Sequence, residues 1–246
     1  MKTLILAAGY GTRLQPVIGD FPKPLVEVGG VTVLDRLVSR LEALQSHEDI
    51  CIVSNARYMR HFDSWCEARG FSGTLLNDGS TEAGNRRGAI GDIAFALDTL
   101  ALDDDLLIVA SDNILDFPLH GLASSFEAHE CAHVGVYHNP DLSDQRKRGV
   151  VVIGQDGSIE SFEEKPDAPR TVWAASPIYL LPAGLLDFVP AYLEAGGNPD
   201  APGHLMVSLC QAHPLRGWEL PGRIVDIGTP ETLARARELF RESPPA

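Results

Sequence analysis

The chain has 246 residues, of which 44% are hydrophobic and 22% are charged, and its formal net charge is −14. This length and composition are typical of a globular protein with a large buried core. The acidic balance excludes nucleic acids and anionic membranes as expected partners, because both are themselves negatively charged. The four cysteines are far apart and lack metal-ligand spacing, which predicts reduced thiols and a cytoplasmic location.

The first half of the sequence alternates strand-like and helical patterns. A continuous apolar run at residues 3–8 predicts a buried parallel strand, and a Gly-rich loop follows it. Further strands are predicted at residues 50–54, 74–76 and 106–110, with helices at 33–44, 58–66 and 88–100. The alternation predicts an α/β fold with an open, mostly parallel, Rossmann-like sheet and helices on both faces. Ligands of such sheets bind at the carboxyl ends of the strands.

The second half is richer in strands and predicts a small β-rich substrate subregion. Strands are expected at residues 132–138, 149–153, 159–163, 172–181 and 223–227, and helices at 185–194, 205–212 and 230–240. Asp156-Gly157 is a hairpin turn signal, and Thr229-Pro230 is a typical helix start. Residues 243–246 are expected to form a frayed tail.

The loop after the first strand carries the strongest chemical signal. Residues 6–14 read Leu-Ala-Ala-Gly-Tyr-Gly-Thr-Arg-Leu. Glycines allow backbone N–H groups to approach phosphate oxygens, and Arg13 can bind a polyphosphate through two donors. Lys23 lies between two prolines, which restrict its backbone and suit a cation held rigidly at a reacting phosphorus. The dinucleotide pattern is excluded because Leu14 replaces its third glycine, whereas a simple strand-to-helix turn is the alternative for the loop alone.

Two aspartates occupy positions where an α/β sheet can bind a metal ion. Asp112 follows the strand at residues 106–110, and Asp226 lies at the end of a strand and before a glycine turn. Carboxylates near a phosphate-binding loop fit one Mg²⁺ ion that bridges protein and substrate oxygens. Magnesium is favoured because no Cys or His cluster accompanies the aspartates. A helix N-cap or a turn is the alternative role for each of them.

Residues 9–14 and 21–25 resemble the signature of the sugar-phosphate nucleotidylyltransferases, and the resemblance covers nearly the whole chain. Further similar motifs follow in the family's order: Gly88-Ala89, Ser111-Asp112-Asn113, Gly149 with Phe162-Glu163-Glu164-Lys165-Pro166, Ser176-Pro177-Ile178-Tyr179, and Asp226-Ile227-Gly228-Thr229-Pro230-Glu231. The resemblance implies transfer of a nucleoside monophosphate from a nucleoside triphosphate to a sugar 1-phosphate, with release of pyrophosphate and with Mg²⁺ as cofactor.

The resemblance also implies roles for individual residues. Arg13, Lys23 and Asp112 would be catalytic; Leu6, Ala8, Gly9, Gly11, Thr12, Arg13 and Gly88 would bind the nucleotide; Gly149, Glu164, Lys165 and Ser176 would bind the sugar phosphate; Asp112 and Asp226 would bind the metal. For Lys165 taken alone, a solvated hairpin end is the alternative.

The same resemblance implies one nucleotidyltransferase domain over residues 1–246. It would comprise a nucleotide-binding half (1–115), a sugar-phosphate-binding half (116–222) and a metal-ligand strand with the C-terminal helix (223–246). The expected partners are the two phosphorylated substrates, and a homo-oligomer is left open. Residues 84–88 differ from the base-contacting segments of the family, so the base stays open.

Two other functions compete with this interpretation. Some relatives are cytidylyltransferases that act on a phosphorylated alcohol or a phosphonate, of the phosphocholine or inositol phosphate type. A quaternary ammonium acceptor would need an aromatic cage, and the second half offers only scattered aromatic residues. The other alternative is a non-catalytic nucleotide-sensing subunit, which would be expected to lose Lys23 or one of the aspartates.

Overall fold

A computed structural model describes residues 1–241, and the tail predicted at 243–246 lies outside the described residues. The helices are α1 (Gln15–Ile18), α2 (Val33–Glu42), α3 (Met59–Arg69), α4 (Ala89–Leu100), α5 (His120–His129), α6 (Leu142–Gln145), α7 (Phe188–Glu194), α8 (Pro202–Ala212) and α9 (Pro230–Leu239). The strands are β1 (Lys2–Leu6), β2 (Glu27–Val28), β3 (Val31–Thr32), β4 (Ile50–Ser54), β5 (Thr74–Asn77), β6 (Leu106–Ala110), β7 (Asn113–Leu115), β8 (Ala132–His138), β9 (Gly149–Ile153), β10 (Ile159–Glu164), β11 (Trp173–Leu181), β12 (Leu215–Glu219) and β13 (Ile224–Asp226).

The described chain divides into two compact units. Unit A contains residues 3–86, 110–120 and the described residues from 222 onward, and unit B contains residues 1–2, 87–109 and 121–221. The domain boundaries expected from the sequence stay a prediction.

Unit A is built on parallel strands. Strand β4 pairs in parallel with both β1 and β5, and all of its residues are buried. Helix α2 begins where the Thr32 hydroxyl accepts a hydrogen bond from the Asp35 amide, and α3 ends at Gly70 in the left-handed conformation. These boundaries place the glycine loop directly after β1, at the carboxyl end of the parallel strands.

A cluster of buried apolar side chains in unit A supports the segments that carry the predicted site. Strand β7 pairs antiparallel with β13 and so brings Asn113 opposite Asp226. The cluster joins buried side chains of the glycine loop, the β2–β3 ribbon, β7 and α9; its members are Leu14, Val26, Val28, Val33, Ile114, Ile227, Leu233, Ala236 and Phe240. The apolar residues that flank the polar loop residues therefore hold distant parts of the sequence together.

Unit B is predominantly antiparallel. Strands β10, β9, β11 and β6 follow one another as antiparallel neighbours, while β8 pairs antiparallel with β11 and parallel with β12. The predicted hairpin is present, with Gly157 in the left-handed region at φ +84° between β9 and β10. Helices α4 and α8 both pack against α7, and α8 also packs against β10. The predicted α/β class with a β-rich subregion is confirmed.

Besides the short elements α1, α6 and β7, three features were not predicted from the sequence. Helix α5 buries only Leu122 and Phe126, so its apolar stripe is too weak to stand out. Strand β12 reads Leu-Arg-Gly-Trp-Glu, and its glycine and two charged residues obscure the strand pattern. The ribbon of β2 and β3 turns at Gly29-Gly30, both with positive φ. Among residues 1–241, no helix is long and apolar enough to span a membrane.

His133 links the fold of unit B to pH. Its ring is fully buried in β8; Nδ1 lies 2.8 Å from the Cys131 carbonyl oxygen and Nε2 lies 3.0 Å from Ser125 Oγ. A neutral ring satisfies both contacts, with Nδ1 donating and Nε2 accepting. Burial lowers the pKa of His133, and the charge of Arg216 and the neighbouring His129 act in the same direction.

We predict that the free energy of unfolding falls as pH drops from 7 toward 5, partly through His133. Below about pH 6.5 the unfolded chain binds a proton that the folded chain does not, which favours unfolding. His133→Gln should reduce this slope by up to about 1.4 kcal/mol per pH unit, measured by urea denaturation across the range. Between pH 8 and 9 the histidine is neutral in both the folded and the unfolded chain, as glutamine is at any pH. The pH dependence of the free energy of unfolding should therefore be the same for the wild-type protein and the variant in this range. Equal slopes below pH 6.5 would contradict the prediction.

Candidate functional site

The glycine loop leaves β1 and turns sharply before α1. The amides of Leu14 and Gln15 both donate to the Gly11 carbonyl, at 2.8 and 3.2 Å, and Gly11 has φ +59°. Leu14 is fully buried, whereas Gly9, Thr12 and Arg13 are exposed. Within residues 1–241, none of the backbone amides of residues 9–13 donates to a protein acceptor. The loop therefore presents several amides and one guanidinium that are available to an anion.

Lys23 contacts the glycine loop through its aliphatic chain. It begins a short 3-10 turn after Pro22, and its side chain is only 12% exposed. A Cβ atom built on Gly11 would lie 2.7 Å from Lys23 Cγ, so only glycine leaves room for this side chain. The ammonium group reaches Asp112, with Nζ 2.7 Å from Oδ2. The loop, the lysine and the aspartate are therefore contiguous.

Asp112 lies in the tight connection between β6 and β7. Its neighbour Ser111 donates through both its amide and its hydroxyl to the Leu6 carbonyl, at 3.2 and 2.7 Å. Asn113 Nδ2 donates to Asp112 Oδ1 at 2.9 Å, and the Ile227 amide donates to the Asp112 carbonyl at 3.1 Å. Asp112 is thus tied to the end of β1, to β7 and to the end of β13.

The second predicted metal ligand enters the same part of unit A. Asp226 ends β13 opposite Asn113, one residue from Asp112. A Cβ atom on Gly228 would lie 2.9 and 3.0 Å from the two carboxylate oxygens of Asp226, so this glycine leaves space for the carboxylate. Among the described residues no group of three or more His, Cys, Asp or Glu side chains forms a complete metal cage. Two carboxylates fit a hard divalent ion that keeps water or substrate oxygens as its other ligands.

In unit B, Gly149, Glu164 and Lys165 come together at one end of the β9–β10 hairpin. Gly149 lies opposite Glu164, and the Lys165 amide donates to the Arg148 carbonyl at 2.9 Å. Lys165 has φ +50°, a conformation that is uncommon for lysine and is enriched at functional sites. Its Nζ lies 3.5 Å from Glu164 Oε1.

The surroundings of Glu164 are tightly packed. Its carboxylate is 8% exposed, and a Cβ on Gly203 would come within 1.9 Å of Glu164 Oε2. Burial raises the pKa of Tyr179, and the charge of Glu164 raises it further. The side chain of Glu164 is therefore held in one position, while the ammonium of Lys165, 54% exposed, is accessible.

Gly88 and Ser176 have other contacts in unit B. Gly88 has φ +81°, and a Cβ there would lie 2.5 Å from the Pro199 carbonyl oxygen. The first amides of α4 already donate to residues 199 and 200. Ser176 is 1% exposed, and its hydroxyl donates to the Gly135 carbonyl at 2.9 Å. These contacts explain why the fold itself needs a glycine at position 88 and a hydroxyl at position 176. The predicted ligand roles of both residues stay predictions.

The buried polar side chain that supports the glycine loop, Asn55, was not predicted from the sequence. The carbonyl of Ala8 accepts a hydrogen bond from Asn55 Nδ2 at 2.9 Å, and Asn55 is fully buried. Asn55 Oδ1 accepts from the Tyr58 amide at 3.0 Å, just before α3. The one available signal was a polar residue directly after an apolar strand, which is too common to be specific.

We predict that Gly11→Ala destabilises the ligand-free protein by about 1–3 kcal/mol, because alanine strains at positive φ and its methyl group would displace Lys23. Gly9→Ala is the matched control, since a Cβ there meets nothing within 4 Å. It should change the free energy of unfolding by no more than about 0.5 kcal/mol. Urea denaturation measures both, and equal effects of the two variants would contradict this account of Gly11.

Fold and site together define an α/β protein with a glycine loop whose amides are available to an anion, and with two aspartates near the ends of its strands. The sequence model of the nucleotidyl transferase family matches residues 2–243, and the chain belongs to this family. It is 28% identical to the mannose-1-phosphate guanylyltransferase catalytic subunit beta of Drosophila melanogaster over 98% of the chain, but it spans only 63% of that relative. It is 26% identical to a UTP–glucose-1-phosphate uridylyltransferase of Haloferax volcanii, covering 98% of the chain and 97% of that relative.

A solved structure supports the fold over the same length. The chain superposes with a TM-score of 0.81 and 23% identity on a crystal structure described as a glucose-1-phosphate thymidylyltransferase of Bacillus anthracis, covering 99% of this chain and 96% of that one. The likeness shows the fold. The resemblance to the sugar-phosphate nucleotidylyltransferases is confirmed by the family match and by the relatives.

Proposed function

We propose that the protein transfers a nucleoside monophosphate from a nucleoside triphosphate to a sugar 1-phosphate and releases pyrophosphate. The observation that carries this proposal is the contiguity, in unit A, of the Lys23 ammonium, the Asp112 carboxylate and the loop amides that donate to no protein acceptor within residues 1–241. In the reaction, an oxygen of the acceptor phosphate forms a bond to the α-phosphorus. The bond from that phosphorus to the bridging oxygen breaks, and pyrophosphate leaves with the electron pair.

The donor side needs charge neutralisation and no protein nucleophile, because the attacking phosphate is already anionic. The amides of residues 9–12 and the exposed Arg13 would hold the β- and γ-phosphates that leave. Lys23 would neutralise charge at the α-phosphate, where its restricted backbone and the contact with Gly11 limit its movement. These roles use the cations and amide dipoles of unit A.

Asp112 and Asp226 would hold a divalent ion, and Mg²⁺ is the ion that we propose. Asp226 lies opposite Asn113, the residue next to Asp112, and the described residues offer no cluster of three or more His, Cys, Asp or Glu side chains. A pair of carboxylates suits a hard ion that retains water or phosphate oxygens. When bound, such an ion supplies positive charge to the phosphate oxygens. Asp112 would first have to exchange its contact with Lys23, and that exchange would free the ammonium for the substrate.

The acceptor side of the proposal rests on unit B. Lys165, with its accessible ammonium, would bind the acceptor phosphate, and the closely packed Glu164 would accept hydrogen bonds from sugar hydroxyls. Gly149, opposite Glu164, would allow close approach of the sugar. The printed names of both relatives contain a sugar 1-phosphate, mannose 1-phosphate in one and glucose 1-phosphate in the other.

The two alternatives have less support. A choline-type acceptor would need a cage of exposed aromatic rings, but Tyr179 is 6% exposed and Trp173 packs edge-on against His138 at 5.9 Å. A sensor would be expected to have lost part of the site, and this chain retains Lys23 in contact with Asp112. We therefore keep the sugar 1-phosphate as the acceptor class.

The proposal includes a cytoplasmic location. All four cysteines are free thiols. Burial raises the pKa of Cys51 to about 12, and it also raises the pKa of the Cys66, Cys131 and Cys210 thiols. Unreactive thiols of this kind support residence in a reducing compartment.

The test is a matrix of five nucleoside triphosphates against sugar 1-phosphates and phospho-alcohols, with Mg²⁺ present and pyrophosphate release as the measurement. We expect turnover with at least one sugar 1-phosphate and a loss of at least about a hundredfold in Lys23→Ala, because charge neutralisation at the reacting phosphorus is removed. Arg235→Ala removes the same charge from the exposed face of α9 and should leave turnover unchanged. Nucleotide binding without pyrophosphate release would favour a sensor, and near-normal turnover of Lys23→Ala would refute the role of Lys23.

We also predict that Lys23→Gln tightens binding of Mn²⁺ to the nucleotide-free protein by about three- to tenfold. The Lys23 ammonium occupies Asp112 Oδ2 and neutralises its charge, so it competes with a cation for this oxygen. Electron paramagnetic resonance of free Mn²⁺ measures the affinity without any turnover. Arg235→Gln is the charge-matched control, and Asp112→Asn should weaken binding. An unchanged affinity in Lys23→Gln would show that metal and lysine do not share Asp112.

A further inference from the structure

The glycine loop has one buried side chain among residues 9–13, that of Tyr10. Its side chain points into unit A, with the residue only 6% exposed, while its neighbours Gly9, Thr12 and Arg13 are exposed. The Tyr10 hydroxyl donates to Ser80 Oγ at 2.9 Å. A buried phenol in a core needs an acceptor, but this acceptor belongs to a short segment after β5 that is itself unusually polar.

Ser80 passes this contact on to a buried carboxylate. Its hydroxyl donates to Asp78, with Oδ1 and Oδ2 at 2.8 and 2.9 Å, and its amide donates to Oδ1 at 2.7 Å. Both Asp78 and Ser80 are 3% exposed. The hydrogen bonds therefore run in one direction, from Tyr10 through Ser80 to Asp78, and a charged acceptor strengthens such a chain.

The segment that receives Tyr10 is anchored to the parallel strands. The Asp78 amide donates to the Ser54 carbonyl and the Ala56 amide donates to the Ser80 carbonyl, both at 2.9 Å. Residues 78–80 are therefore fixed to the end of β4. On the loop side, the Tyr58 hydroxyl donates to the Tyr10 carbonyl at 3.4 Å, and the two rings lie 6.1 Å apart.

This arrangement compensates for a weakness of the loop. The amides of residues 9–13 make no hydrogen bonds to protein acceptors within residues 1–241, so no hydrogen bond of their own fixes their directions. Gly11 at φ +59° adds conformational freedom that would have to be lost on binding a ligand. A contact from outside the loop reduces that entropic cost, since the amides are then already directed before the ligand arrives.

We propose that Tyr10 is a positioning residue for polyphosphate binding, acting through the chain from its hydroxyl to Ser80 and Asp78. The inference deepens the proposed function and rests on it. Burial raises the pKa of Tyr10, so its hydroxyl stays protonated as a donor at neutral pH. The side chain of Tyr10 makes no contact with substrate in this scheme; it fixes the backbone amides that do.

The test compares Tyr10→Phe with the wild-type protein in steady-state kinetics of pyrophosphate release. The KM for the triphosphate should rise about tenfold, as expected for the loss of one buried hydrogen bond, while the KM for the acceptor stays within about twofold. Tyr192→Phe is the matched control, because its hydroxyl donates to the Asn198 carbonyl at 3.2 Å in unit B. That variant should leave both KM values unchanged.

A second variant tests the chain of contacts itself. Ser80→Ala should give the same rise in the triphosphate KM, and the double variant Tyr10→Phe/Ser80→Ala should be no worse than either single one, since all three lack the same bond. In the ligand-free protein, the NMR order parameters of the backbone amides of residues 9–13 should be lower in each variant than in Tyr192→Phe, because the loop moves more. This measurement needs no activity.

The possible outcomes separate the two proposals. If the wild-type protein releases no pyrophosphate on any substrate pair, the proposed function fails, and lower loop order parameters in Tyr10→Phe would still support a positioning role for Tyr10. If the wild-type protein is active but Tyr10→Phe and Ser80→Ala keep its triphosphate KM, the inference about Tyr10 is refuted. An equal rise in both KM values, with unchanged loop order parameters, would also refute it.

Discussion

The ion pair between Lys23 and Asp112 is the interaction on which the rest of the site depends. It joins a short turn near the start of the chain to the connection between β6 and β7, 89 positions later in the sequence. Forming it in a partly buried place removes water from both groups, and the contact is maintained only because the surrounding backbone determines its geometry. Gly11 provides the space for the lysine chain, and Ser111 ties the aspartate to β1.

Several of these determinants could be predicted from the sequence, and the reason is local. The apolar runs of β1 and β4 and the turn at Asp156-Gly157 carry their own strand and hairpin signals. The sequence predicts roles for Lys23 and Asp112 because prolines flank the lysine and an apolar strand precedes the aspartate. In both cases a short window of sequence contains the physical cause of the conformation.

The remaining features depend on contacts between distant segments. No spacing in the sequence indicates that Tyr10 donates to Ser80 or that Asn55 supports Ala8, because the partners are 70 and 47 positions apart. Glycines are ambiguous for the same reason: Gly11 is required by a lysine side chain, whereas Gly88 is required by the carbonyl of Pro199. From the sequence alone, both glycines are predicted to leave space for a ligand.

The acidity of the whole protein increases the importance of the loop amides and of the contact between Lys23 and Asp112. With a net charge of −14, the long-range field would oppose the two phosphorylated ligands of the proposed reaction, so their binding would have to come from short-range donors. The loop amides and Lys23 would supply such donors with little dependence on the net charge, and a metal-bound triphosphate would arrive with part of its own charge already neutralised. Lys23 neutralises the charge of Asp112, and in the proposed reaction the same contact would hold the lysine in position for the phosphate that replaces the carboxylate.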